Sequence, residues 1–229
     1  MRNRPDTLML FTAGYGTRMR PLSLHLPKPL IPVGGKPLLD HALALVREAG
    51  ISRIVANTHH LAEQMAAALE ARGVQTVHEP ELLDTGGGLR NALPRLGAGP
   101  VFTLNADCVW TGRNPIRALW DKWDAESMEA LLALVPFERA VGHTGPGDFT
   151  IDNDGRLRRG RALVYSGLQI IAPRVLDRIG DNVFSLNLAW DLAEADRRLF
   201  GLVHSGGWCD VGRPESIALA ERALATADV

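Results

Sequence analysis

Cysteine is scarce: the 229 residues hold two, Cys108 and Cys209, with no CxxC and no Cys/His pair at metal-ligand spacing. That excludes a disulfide framework and a structural zinc site, and leaves two small buried side chains in a reduced compartment as the ordinary reading. A surplus of charge is missing as well. Lys and Arg number 25 against 26 Asp and Glu, a formal net charge of -1, so no nucleic-acid partner and no membrane surface is expected. No apolar run approaches the ~18 residues of a spanning helix. The first one, TLMLF, is too short for the core of a secretion signal and passes straight into glycines, so a first strand and a cytoplasmic location are expected.

Two common nucleotide loops are also absent. TAGYGTRM has Met19 where a G-x-G-x-x-G loop needs its third glycine, and GGKP has proline where a Walker loop needs Ser or Thr. The seven histidines form no ligand pattern, and no constellation for nucleophilic hydrolysis stands out.

What is present is alternation. TLMLF, RIVANT, VQTVHE, PVFTLNAD and EALLALVPF read as buried strands, and KPLLDHALALVREAG, HLAEQMAAALEARG and RNPIRALWDKW as amphipathic helices. Helices are also expected near 185–198 and 214–227, and polar turns between about 143 and 172 suggest an antiparallel hairpin region. The expected fold is α/β, a three-layer α/β/α Rossmann-like sheet, mixed but mostly parallel, forming one domain over 1–229.

Chemistry concentrates after the first strand. Glycines at 14 and 16 let backbone N–H groups approach phosphate without a Cβ in the way. Arg18 offers a bidentate fork, and Lys28 sits between Pro27 and Pro29, which stiffen the segment that carries its amine. Asp107, at the end of an apolar strand, and Asp210, in GGWCDVG, are hard-oxygen ligand candidates for Mg²⁺. TGGG at 85–88 can present backbone donors and acceptors to a base and, compatibly with that, serve as a helix-entry turn.

GYGTRMRPLS followed by PKPLIPV resembles the signature of the sugar-1-phosphate nucleotidyltransferases, and the resemblance runs through TGGG, LNADCVW, YSG and GGWCDVGRPE to nearly the whole chain. It implies an enzyme that joins an NTP, UTP favoured, to a sugar 1-phosphate and releases pyrophosphate, using Mg²⁺ on Asp107 and Asp210, as a monomer or small homo-oligomer. TGGG, NADCVW and GDF together resemble the uridylyl-transferring members of cell-wall recycling, with guanylyl- and thymidylyl-transferring members as alternatives. Carried over by position, Arg18 and Lys28 are catalytic, and Ala13, Gly14, Gly16, Thr17, Arg18, Glu79, Thr85, Gly86 and Gly87 bind the nucleotide. Asn105, Asp148 and Ser166 fall on the sugar side, each with an ordinary alternative as a turn or cap former.

Thr12, Ala106 and Arg213 depart from the family's usual alanine, glycine and threonine. Arg156, Arg158, Arg159 and Arg161 lie in the segment that the resemblance places near the sugar, where an acidic sugar would find a cation, though a solvated turn is the plainer reading. Gly14, Arg18, Asp107 and Asp210 should converge on one sheet edge, and both thiols should point away from it, since neighbouring strand residues face opposite sides.

Overall fold

The computed structural model describes residues 5–227. β1 (Thr7–Phe11) leads into a long connection with 3-10 turns at Thr17–Met19, Leu22–Leu24 and Lys28–Leu30. The short strands β2 (Pro32–Val33) and β3 (Lys36–Pro37) then precede α1 (Leu38–Glu48). β4 (Arg53–Thr58), α2 (Ala62–Glu70), β5 (Gln75–His78), α3 (Asp84–Leu96) and β6 (Val101–Asn105) continue the alternation. After them come β7 (Cys108–Trp110), α4 (Pro115–Lys122), β8 (Ala130–Pro136), β9 (Ala140–Val141), β10 (Phe149–Ile151), β11 (Leu157–Arg159) and β12 (Leu163–Ile171). The order closes with α5 (Leu186–Ala195), β13 (Leu199–Val203), β14 (Trp208–Asp210) and α6 (Glu215–Ala227).

β5, β4, β1 and β6 lie side by side and parallel, the arrangement that apolar strands joined by crossover helices adopt. β12 joins β6 antiparallel, β8 joins β12 antiparallel, and β13 runs parallel to β8. The sheet is therefore mixed and mostly parallel, and the antiparallel element reaches its centre instead of staying in a peripheral hairpin. The β10–β11 hairpin pairs with the first residue of β12, and its turn reaches β13, where Gly201 N–H donates to Gly155 O at 2.9 Å.

Along β1 the pleat sends Leu8 and Leu10 to one face, among residues of α1, α2 and α4, and Met9 to the other, among residues of α3, α5 and the hairpin. That alternation produces the three layers. α1 buries Leu38, Leu39, Ala42, Leu43 and Val46, a stripe at helical spacing, and Gly50 follows it at φ 88°. Asn114 and Ser185 cap α4 and α5, each side chain accepting from the backbone N–H two residues on. A second, three-stranded sheet of β7, β14 and β9 stands at the carboxyl end of β6. No helix among the described residues is long and apolar enough to cross a membrane.

TGGG belongs to the first turns of α3, so the helix-entry reading is realised. A Cβ at Gly86 would lie 2.3 Å from the Phe184 ring, one at Gly87 2.3 Å from Asn182 O, and one at Gly88 2.7 Å from Glu79 Oε1. The Phe184 carbonyl accepts from both Gly86 N–H and Gly87 N–H at 2.9 and 3.0 Å, which satisfies two donors that a helix start leaves without partners. Gly87→Ala should therefore destabilise the protein by about 1–3 kcal/mol, because the obstructing atom is backbone and cannot turn aside. Urea unfolding measures this, and an unchanged midpoint would contradict the packing.

Candidate active site

The carboxyl ends of β1, β4 and β6 open into a cleft of about 560 Å³. In parallel sheets this edge is where loops diverge and ligands fit. One wall is the loop after β1, from Thr12 to Arg18. Gly16 sits there at φ 60° and starts the 3-10 turn that aims Arg18, and its open Cβ position lies 3.0 Å from the Lys28 Cβ. Lys28, in its own turn between prolines, is only 9% exposed and donates from Nζ to Asp107 Oδ2 at 2.6 Å. The opposite wall comes from Leu82, Asp84, Thr85 and Val183.

Asp107 lies in the two-residue turn between β6 and β7, and β14 pairs with β7 so that Asp210 is opposite Cys108. This register brings carboxylate oxygens of Asp107 and Asp210 and the Cys108 Sγ within 4.8 Å of one another. Burial pushes the Asp107 carboxyl up, but the Lys28 charge and hydrogen bond, with smaller contributions from Cys108 and Arg18, hold it below the usual aspartate value. Asp210 is shifted the other way. Burial and the neighbouring Asp107 charge raise it, only partly offset by Lys28, Arg18 and His143. Two carboxylates that resist joint ionisation, on a lysine-lined cleft, suit a hard divalent cation, which takes carboxylate and phosphate oxygens.

Cys108 corrects an expectation. Its thiol faces the carboxylates, Sγ to Asp107 Oδ1 at 3.5 Å, because the turn at 106–107 interrupts the strand alternation on which the outward orientation was based. Burial and both carboxylates hold this thiol well above its ordinary value, so it stays protonated and donates. Cys209 does point away, into the apolar cluster around Val211 and Ala220.

Of the residues singled out from the sequence, Ala13, Gly14, Gly16, Thr17, Arg18, Lys28, Thr85, Asn105 and Asp107 line the cleft, with Asp210 just behind Gly212. Glu79, Gly86 and Gly87 stand behind the far wall; Glu79 is fully buried, and the two glycine N–H groups are taken by Phe184 O. Asp148 and Ser166 are not in the lining. Asp148 Oδ2 accepts from Tyr165 N–H at 2.8 Å, and the Ser166 hydroxyl donates to Ala133 O at 2.6 Å, the turn and strand roles open to such residues. None of the four hairpin arginines lines the cleft either: Arg156 pairs with Asp154 and Arg159 with Asp191, on the α5 side of the sheet. Thr12 accounts for its own departure, since its hydroxyl donates to Asn57 O. Ala106 is 1% exposed yet borders the cleft, and Arg213 is exposed, with no side-chain partner among the described residues.

Sequence reading missed Asn57, Leu82, Asp84 and Val183. Asn57 left a usable signal, a polar residue near the carboxyl end of the apolar strand RIVANT; the others lie in connections without periodicity.

A glycine loop, a lysine paired with an aspartate, an exposed arginine and paired carboxylates lie together at the carboxyl edge of a Rossmann-like sheet. The chain belongs to the MobA-like NTP transferase domain family, which matches residues 8–175. It is 36% identical, over 99% of its length and 100% of the relative, to the N-acetylmuramate alpha-1-phosphate uridylyltransferase of Caulobacter vibrioides. The enzyme of that name from Neisseria meningitidis serogroup B is also 36% identical, over 89% of this chain and 92% of the relative. Among solved structures, HddC from Yersinia pseudotuberculosis complexed with GMP-PN superposes with a TM-score of 0.75 at 21% identity, covering 98% of this chain and all of the other. A putative glucose-1-phosphate thymidylyltransferase from Bacillus anthracis superposes with a TM-score of 0.78 at 16% identity, covering 97% of this chain and 96% of the other; both share the fold.

The opposed carboxyl shifts predict opposite stability profiles. Asp210 ionises against the fold's preference, so its cost is present above its raised value and gone below the ordinary 3.8, where folded and unfolded chains are both protonated. In divalent-free buffer Asp210→Asn should melt higher than wild type at pH 7, the difference closing as pH falls through that window. Ionised Asp107 stabilises above the ordinary value, and this is lost as pH falls through its lowered one, so Asp107→Asn should melt lower at pH 7. Calorimetry across pH 3–8 reads both, and shifts of the same sign would contradict the assignment.

Proposed function

We propose that this chain, working as one catalytic domain in the cytoplasm, transfers UMP from UTP to N-acetylmuramate α-1-phosphate in cell-wall recycling, releasing pyrophosphate. The observation that carries the reading is the convergence of Arg18, Lys28, Asp107 and Asp210 at one end of a single cleft. The two uridylyltransferase relatives at 36% identity support the choice of substrates.

The reaction sets two anions against each other, so positioning and charge neutralisation form most of the barrier-lowering work. The glycine loop takes the triphosphate on its backbone N–H groups. Arg18, on the same wall, clamps oxygens of the departing pyrophosphate. Lys28 approaches the α-phosphate and neutralises charge that builds as the sugar phosphate attacks in line. Its pairing with Asp107 keeps the ammonium in place while the cleft is empty, and its proline-bounded turn limits the ordering still to be done on binding. A Mg²⁺ held by Asp107 and Asp210 would supply Lewis-acid polarisation of phosphate oxygens. Cys108 offers a soft sulfur, a poorer match than the two carboxylates for a hard cation. Leu82, Asp84, Thr85 and Val183 form the wall for the nucleoside, and Asn105 faces the sugar side. Either a monomer or a small homo-oligomer is compatible with a cleft built from one chain.

Lys28→Ala should lower kcat by ~10²–10³, or about 2.7–4 kcal/mol, as for loss of one preorganised donor to developing charge. Steady-state pyrophosphate release measures it, and near-wild-type turnover would remove Lys28 from the mechanism. The substrate assignment is tested by crossing UTP, GTP, dTTP and CTP with the 1-phosphates of N-acetylmuramate, N-acetylglucosamine, glucose and mannose. The highest kcat/KM is expected for UTP with N-acetylmuramate 1-phosphate. Preference for GTP with mannose 1-phosphate would overturn the substrates and leave the transfer chemistry standing.

A further inference from the structure

Behind the nucleoside end of the cleft lies a chain of buried hydrogen bonds that none of the roles above uses. Asn57, 4% exposed and part of the cleft lining, accepts on Oδ1 from Thr12 N–H at 2.8 Å and donates from Nδ2 to Glu79 Oε1 at 2.8 Å. The other oxygen of Glu79 accepts from Leu83 N–H at 3.1 Å, at the start of α3. Thr12 begins the glycine-loop wall, and Leu83 stands between Leu82 and Asp84 on the opposite wall. The two walls are thus joined through the floor by two side chains. A second tie runs outside the first. His59 Nδ1 lies 2.9 Å from Glu79 O and, since a carbonyl can only accept, donates to it, while Nε2 hydrogen-bonds Tyr15 OH on the glycine loop at 2.9 Å. Gly88 leaves the room this needs, since a Cβ there would lie 2.7 Å from Glu79 Oε1 and 3.1 Å from Asn57 Nδ2.

We propose that Glu79 is a positioning residue: it touches no substrate and sets the width of the nucleoside slot by fixing Asn57 against Thr12 on one side and Leu83 on the other. The inference rests on the nucleotidyl-transfer reading and deepens it. The donor count makes it testable. Three donors, Thr12 N–H, Asn57 Nδ2–H and Leu83 N–H, meet three acceptors, Asn57 Oδ1 and the two Glu79 oxygens. Glu79→Gln removes an acceptor and adds a donor, so some N–H must face another whichever way the amides turn. Asn57→Asp alone sets two carboxylate oxygens against each other. Together they restore the count: the carboxylate at 57 accepts from Thr12 and from the amide at 79, whose oxygen accepts from Leu83. Volumes barely change.

The experiment is calorimetric binding of UTP and GTP to wild type, Glu79→Gln, Asn57→Asp and the double variant, with steady-state kinetics alongside. Each single variant should raise the Kd and KM for UTP about tenfold, the scale of one buried unsatisfied group, and leave the KM for the sugar phosphate unchanged. The double variant should return UTP affinity to within about threefold of wild type. Single variants that melt lower but bind UTP as wild type does would show a merely structural bond and overturn the proposal, as would a double variant no better than the sum of the singles. Should a single variant fail to fold, recovery of folding and affinity in the double supports the proposal, and a double that folds but binds weakly, or does not fold, overturns it. Wild type that binds neither nucleotide would instead overturn the functional reading, and this inference with it.

Discussion

The arrangement turns on a repulsion that the fold enforces. β14 pairs with β7 in a register that holds the Asp210 carboxylate near that of Asp107, in a place that burial makes unfavourable for two negative charges. Strand pairing supplies the constraint, because sliding β14 by one residue would turn Asp210 to the other side and Cys209 toward the site. Lys28 and Arg18 then have an electrostatic reason to be where they are. They approach the carboxylates when no phosphate is present, and they are the groups a phosphate would meet on entering. Lys28 is ion-paired with Asp107, so an anion reaching this amine would compete with a carboxylate for it.

The opposite end of the cleft is organised by close contact more than by charge. Gly86, Gly87 and Gly88 bring the first turns of α3 against Phe184, Asn182 and Glu79 at separations that no larger residue allows. Leu82, Asp84 and Thr85 are presented by a helix start whose N–H groups already have partners. The shape of this cleft wall depends on what lies behind it.

Much of this was legible in the sequence. Strand and helix positions followed from apolar periodicity, and the carboxyl-edge location of Gly14, Arg18 and Asp107 followed from their places just after apolar strands. Lys28 between two prolines announced a fixed amine. Less legible were the features that depend on partners distant in the chain. For Glu79 the sequence suggested a nucleotide-binding position, and only folding shows Asn57 and Leu83 converging on it. The close contacts behind the TGGG glycines were hidden too, because glycine that leaves room for a ligand and glycine that leaves room for a phenyl ring spell the same letters. The pairing of Arg159 was hidden for a related reason: its acidic partner Asp191 belongs to a helix whose contacts the local sequence does not reveal. Cys108 failed because alternation was extended through a turn.

That cysteine has a consequence for how the protein meets oxidants. Peroxides and disulfides react with the thiolate, and burial together with two carboxylates keeps the Cys108 sulfur in its protonated form. The charges that make the cluster ready for a cation also keep its sulfur from acting as a nucleophile. A buried sulfur atom can therefore sit beside two carboxylates with its reactive thiolate form disfavoured.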